Sequence, residues 1–219
     1  MIVALDIETI PNADMVSRLP ECECTDARIK DPAKIAAHIE EKKAKQVDRM
    51  ALDPLYGRVC CVALVSPEKN DVRIITECND EQEQGIIQSL MDTFSNPEIR
   101  LVTWNGNGFD LPFIYRRALA LGVSPKHFGA PPLSTWTKKY NNDRHIDLMR
   151  EWACGGTEFT KLDSVAAALL GAHKHDVDVT KFAEMMKTEE GRKEIADYCL
   201  QDTKLTYQIF ERCLGTLFV

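Results

Sequence analysis

The chain has 219 residues, 44% of them hydrophobic, enough to bury one full α/β core with embellishments. Its formal charge of −7 argues against a long basic surface that would grip duplex nucleic acid nonspecifically, but not against an enzyme that neutralises a few terminal phosphates through bound cations. No apolar run approaches the roughly 18 to 20 residues of a membrane helix, and MIVALDIETI lacks a basic leader and a cleavage site, so a cytoplasmic protein without a membrane partner is expected.

In chain order, Ile2 to Ile7 alternates and is rich in β-branched residues, which predicts a short central strand closed by Pro11 and Asn12. Residues 32 to 50 follow Asp31 as a cap, start on Pro32 and place Ile35 and Ile39 one turn apart, the pattern of an exposed amphipathic helix inside an insertion at about 26–52. Arg58 to Ser66 and Asp71 to Thr76 are strands joined by Pro67-Glu68-Lys69-Asn70, which predicts an antiparallel hairpin. Ile86, Ile87, Leu90, Met91 and Phe94 share one helical face within residues 80–94, and Ile99 to Trp104 returns as a strand. A helix follows Asn105-Gly106-Asn107-Gly108 and runs to Leu121.

Gly122 to Asn142 carries Pro125, Pro131 and Pro132 and no periodicity, long enough for a loop to suggest function; Trp136, Lys138, Lys139 and Tyr140 have the composition of a single-strand track. His145 to Trp152, Lys161 to Leu170 and Glu189 to Cys213 read as helical or strand-to-helix segments, the last the longest. The order predicts one α/β domain over residues 1–219, a mixed sheet flanked by helices. The eight cysteines include no CxxC pair and are expected as reduced, mostly buried thiols. His173-x-His175 follows the helix end at Gly171 and is read as solvated or capping, so no zinc is assigned.

Three groups of residues bear on chemistry. Asp6 and Glu8, two apart on a strand, point to one face, where paired acids repel unless a cation neutralises them. Asp110 lies near a helix start just past a glycine turn, a position that simple capping would also explain. Tyr198 and Asp202 stand at i and i+4 on the last helix and share a face. Alone each is common; in this order they are distinctive.

Asp6-Ile7-Glu8-Thr9, Asn105-Gly106-Asn107-Gly108-Phe109-Asp110 and Tyr198-Cys199-Leu200-Gln201-Asp202 resemble the three motifs of the tyrosine branch of the DEDD exonucleases. They are most similar to the proofreading exonuclease domain of family B DNA polymerases and its stand-alone relatives. The resemblance implies a ribonuclease-H-like fold of about five strands, the first three antiparallel, and 3′–5′ exonuclease activity on single-stranded DNA by a two-metal mechanism with Mg²⁺ or Mn²⁺. By that resemblance Asp6 bridges the ions, Glu8 and Asp202 complete the site for the attacking water, Asp110 holds the second ion, and Tyr198 orients the water. The Thr9 backbone and Asn105 would contact sugar or phosphate and Phe109 would stack near the terminal bases. No polymerase segment follows, so a stand-alone nuclease is expected, with 3′ ends as substrate and replication or repair proteins as candidate partners in trans.

Two alternatives stand beside this reading: a 3′–5′ exoribonuclease, since a 2′-hydroxyl contact separates the two substrates, and a catalytically silent nucleic-acid-binding adaptor, whose mark would be a lost acid. The second glycine motif lacks the third glycine of a dinucleotide loop, and neither GxxxxGK[ST] nor GxSxG occurs.

Overall fold

The computed structural model of the chain describes residues 1–26, 28–138 and 142–218. β1 (Ile2–Pro11) is the central strand. Val3, Leu5 and Ile7 enter one apolar cluster and Ala4 another, as expected for a strand buried on both faces. It continues past Ile7 to Pro11 because the neighbouring strand keeps pairing as far as Gly57. α1 (Pro32–Arg49) starts where expected: the Asp31 carboxylate accepts from the amides of Ala33 and Lys34 at 2.8 and 3.4 Å. None of its residues is buried, in keeping with its charge pattern.

β2 (Gly57–Val65) runs antiparallel to β1, setting Asp6 opposite Ala63 and Glu8 opposite Cys61; the register then breaks, so that Thr9 faces Val59 and Cys60 is left over as a bulge. β3 (Asn70–Ile74) completes the antiparallel hairpin. α2 (Asp80–Ser95) buries the stripe Ile86, Ile87, Leu90, Met91 and Phe94. β4 (Arg100–Thr103) then pairs parallel with the free side of β1 and is followed by α3 (Asp110–Ala120).

The stretch 122–142 is more structured than its composition suggests. A 3-10 turn over Pro125–Phe128 ends on Gly129 in the left-handed region, and α4 (Leu133–Trp136) carries Trp136 into the core. Its ring packs 5.2 Å from Phe94, and its Nε1 donates to the Tyr115 hydroxyl at 2.7 Å. Trp136 is thus a packing residue and not part of a strand track, because an indole with a buried hydrogen-bond partner gains more from the core than from solvent. Lys138 is exposed; Lys139 and Tyr140, the rest of that expected track, lie outside the described residues.

β5 (His145–Asp147) adds a parallel edge next to β4 and leads directly into α5 (Leu148–Trp152). α6 (Leu162–Leu170), α7 (Phe182–Met185) and α8 (Glu189–Cys213) follow. The sheet order is β3-β2-β1-β4-β5, with the first three strands antiparallel, so the expected ribonuclease-H-like α/β arrangement is what forms. Val3, Leu5 and Ile7 pack with α2 and α3, whereas Ala4, Val102 and Ile146 pack with α6 and the C-terminal half of α8. Among the described residues no helix is long and apolar enough to cross a membrane.

One buried charge fastens the α2–α3 layer to the sheet. Glu83 is wholly inaccessible and accepts from Arg117 Nε and Nη2 at 2.8 and 2.6 Å and from the Val59 amide at 2.9 Å, with Arg58 Nε 3.4 Å away. Arg58 also reaches Asp80 at 2.6 Å and the Cys78 carbonyl. Each formal charge in this network has a counter-charge and directed hydrogen bonds, the condition under which burial is tolerated.

Candidate active site

The acids far apart in the sequence meet on β1. Asp6 and Glu8 leave the strand on the face it shares with Ala4, half-buried under α8. Asp110, the first residue of α3, is buried with its Oδ1 3.3 Å from the amide of Ile7, which donates to it, so the carboxylate sits against the backbone between the two strand acids. From α8 come Tyr198, Cys199 and Asp202, all buried. The Cys199 thiol lies 3.7 Å from the Asp6 carbonyl and 3.8 Å from Asp6 Oδ2. The ligand atoms of Asp6, Glu8 and Cys199 all lie within 4.8 Å of one another.

The turn that delivers Asp110 is built tightly. Its left-handed residue is Asn105, at φ 73°, not either of the glycines. Gly106 is required for a different reason: a Cβ there would stand 2.1 Å from Thr103 Oγ1, which accepts from the Gly106 amide at 2.9 Å. Asp147, at the end of β5, holds the other side of the turn by accepting from the amides of Asn105 and Asn107 at 3.1 and 2.9 Å. Asp147 also caps α5 through the Arg150 amide. A lone acid at a strand-to-helix boundary carries no sequence signal beyond capping, so its role as a brace for the turn appears only in three dimensions.

The electrostatics are those of crowded anions. Burial raises the Asp6 carboxyl well above its usual range, and the negative charges of Asp110 and Asp202 add to it. Glu8 rises for the same reasons, burial first and then Asp6 and Asp202. Asp110 is pushed up to about 7 by burial, against the opposing pull of backbone hydrogen bonds. Asp202 is raised by burial in spite of Lys174. Burial likewise pushes the Tyr198 phenol up to about 12.

Of the two lysines that line the cleft among the described residues, Lys174 is the one paired with these charges. Lys174 forms an ion pair with Asp202 Oδ2 and lies 5.0 Å from the centre of the Tyr198 ring. Burial works against its charge, but the Asp202 carboxylate overcomes this and raises its pKa. The segment is pinned from both flanking helices: Asp163 Oδ1 accepts from the Lys174 amide at 2.9 Å, and Gln201 donates to the His173 carbonyl at 2.9 Å. No periodicity or motif marks Lys174 in the sequence, whereas His173 and His175 beside it are exposed, as read. Asp202 Oδ1 remains fully buried without a hydrogen-bond partner. An excess of buried carboxylates, all hard oxygen donors, one with an orphaned oxygen, fits divalent cations of the Mg²⁺ or Mn²⁺ type.

An open cleft of about 390 Å³ leads to these groups, lined by Asp6, Asn105, Lys174 and Asp202 with Phe159 and Lys161 at its mouth. Of the residues expected to grip substrate, Asn105 lines the cleft. Thr9 lies one residue beyond Glu8 with its hydroxyl donated to the Ala51 carbonyl at 2.6 Å, which leaves only its backbone to face a ligand. Phe109 is half-buried and packs 5.4 Å from Phe113 at the edge of the core.

Comparison with known proteins agrees with this geometry. The chain is 35% identical over 120 residues to DNA polymerase 1 of Saccharolobus solfataricus, covering 50% of this chain and 13% of that one. It is 29% identical over 175 residues to a DNA polymerase of Thermococcus aggregans, covering 70% and 10%. It thus spans only about a tenth of the length of these relatives. The family B DNA polymerase of the hyperthermophilic archaeon Pyrobaculum calidifontis superposes with a TM-score of 0.64 at 20% identity, over 97% of this chain and 24% of that one, a likeness of fold. A model of predicted 3′–5′ exonucleases related to the exonuclease domain of PolB matches residues 52–216, which include Asp110, Tyr198 and Asp202 and leave Asp6 and Glu8 to the strand outside it. Because that match takes in well over half of the chain, the protein belongs to this family of PolB-related 3′–5′ exonucleases.

Proposed function

We propose that the site hydrolyses the terminal phosphodiester at the 3′ end of single-stranded DNA and releases nucleoside 5′-monophosphates. The observation that carries this reading is the convergence of Asp6, Glu8, Asp110 and Asp202 close enough to repel one another, with Asp6 and Asp202 lining the cleft and one buried carboxylate oxygen unmatched. The four carboxylates would hold two divalent cations, Mg²⁺ or Mn²⁺. When bound, such ions neutralise charge on the attacking and leaving oxygens of an in-line displacement and ease deprotonation of the attacking water.

The chain's own residues do the rest. Tyr198, its phenol pushed up to about 12, keeps its proton at neutral pH and so orients the attacking water instead of accepting its proton. The water oxygen bonds to phosphorus as the bond to O3′ breaks, and the shortened strand leaves with a 3′-hydroxyl. Lys161 and Lys174 are the cations the cleft offers an incoming phosphate, Lys174 already paired with Asp202. Asn105, the Thr9 backbone and Phe109 are the proposed contacts to the terminal sugar and base. The polymerase relatives favour DNA over the exoribonuclease reading, and the complete set of acids speaks against a silent adaptor.

The test is a 5′-labelled single strand incubated with Mg²⁺ or Mn²⁺, next to an RNA of the same sequence. A ladder shortening from the 3′ end is expected, faster on DNA. No shortening by folded protein ends the enzymatic reading, and faster loss of the RNA replaces DNA as the substrate.

A further inference from the structure

A second cleft, of about 460 Å³, adjoins the first, and Phe159 belongs to the walls of both. That volume falls within the roughly 300–1,000 Å³ typical of sites for small ligands and is ample for a nucleotide. Phe159 is 54% exposed on the loop between α5 and α6, although an aromatic ring there has every hydrophobic reason to be covered. The same cleft is lined by the small residues Cys154, Gly155 and Gly156 of a tight turn: Cys154 and Gly155 are both left-handed, at φ 49° and 82°, and a Cβ on Gly156 would stand 3.0 Å from the Ala153 carbonyl.

Two exposed cations border the same cleft, Lys138 after α4 and Arg150 on α5. Arg150 Nε is 3.8 Å from Asp147 Oδ2, a long contact to a carboxylate already accepting from three backbone amides, so its guanidinium retains donors for another anion. Glu151 also lines the cleft and would keep a polyanion towards the Lys138 and Arg150 side. An accessible aromatic ring in a cleft lined by cations and small residues is the chemistry of a single-strand track, in which a base stacks and phosphates are neutralised.

We infer that the second cleft is a subsite for the strand upstream of the 3′-terminal nucleotide, with Phe159 stacking a base and Lys138 and Arg150 taking internucleotide phosphates. This rests on the exonuclease reading above, and it makes the enzyme's grip depend on strand length. The acids would select the end, and this cleft would select a strand over a mononucleotide.

The full chain with Mn²⁺ is assayed on two substrates, a short deoxyoligonucleotide and thymidine 5′-monophosphate p-nitrophenyl ester, which fills only the terminal site. The quantity read is the ratio of kcat/KM on the oligonucleotide to that on the ester. Phe159→Ala, and Lys138→Gln combined with Arg150→Gln, are each expected to lower this ratio roughly tenfold, the size of one lost stack or of two lost phosphate contacts. Phe159→Trp is expected to keep it, which separates stacking from a general loss of structure. A 2-aminopurine placed one or two nucleotides before the 3′ end, with Ca²⁺ to hold off cleavage, should lose fluorescence on binding to the parent and to Phe159→Trp but not to Phe159→Ala. If the parent cleaves both substrates and neither the ratio nor the quenching changes in the variants, the subsite is overturned while the exonuclease stands. If the parent cleaves neither, both readings fall.

Discussion

Glu83 is buried, as are Asp110 and Asp202, with Asp6 and Glu8 half-buried beside them, yet the protein treats Glu83 and the cleft acids in opposite ways. Glu83 is bound by two arginines and a backbone amide, which makes it a structural tie between α2, α3 and β2. At the site, Asp6, Glu8 and Asp202 share Lys174, Asp110 accepts from the Ile7 amide, the pKa values of all four are driven upwards and Asp202 Oδ1 has no hydrogen-bond partner. A carboxylate with its counter-charge built in stabilises a fold, whereas a cluster without one costs stability until a cation arrives. The contrast between a built-in counter-charge and an excess of anions is what singles out the cleft as the candidate site.

Removing one acid of the cleft gives the sharpest test of the contrast. Asp6→Asn should lower cleavage about a thousandfold or more, since each ligand supports several kcal/mol of charge stabilisation in the transition state. Its melting temperature in EDTA should stay level or rise, because the repulsion with Asp110 and Asp202 is relieved. Near-parental activity in this variant would contradict the metal assignment.

Glu83→Ala should behave the other way round. It leaves Arg117 and Arg58 buried without their anion, so urea unfolding should show a loss of about 3–5 kcal/mol, with activity per folded molecule kept. A loss under about 1 kcal/mol would place Glu83 with weakly coupled surface pairs and dissolve the comparison.

Tyr198→Phe should slow cleavage about tenfold to a hundredfold without moving the alkaline limb of the pH–rate profile, the signature of positioning. A deeper loss with a shifted alkaline limb would make the phenol a proton acceptor.

The smallest effect expected is on stability against pH. The cleft carboxyls have pKa values raised above those of the unfolded chain, so the folded state binds more protons between about pH 4 and the value near 7 reached by Asp110. In EDTA, melting temperature should therefore fall as pH rises from about 4 through the value near 7 reached by Asp110, with Asp6 and Glu8 adding to the fall, and Mn²⁺ should restore it most at the upper end. Asp110→Asn should flatten the slope; an EDTA profile that climbs with pH from 4 to 7 would reverse the sign assigned to these groups.

Local pattern settled a great deal about this protein. Apolar, β-branched runs defined β1 and β2, the 3.6-residue stripe defined α2, and Asp31-Pro32 set the start of α1, because each depends on neighbours within one or two turns. The acids of the site were also readable, since Asp6 and Glu8 share a strand face and Tyr198 and Asp202 a helical one. What the sequence could not encode locally was decided by contacts across the chain. Asp110 rests on an amide 103 positions earlier, Lys174 answers Asp202, Asp147 braces the turn, and Trp136 belongs to the core because Phe94 and Tyr115 are there to receive it. Periodicity records which face of an element is apolar, but the partner of a buried charge or ring is chosen by packing between elements, and only the tertiary structure brings those together.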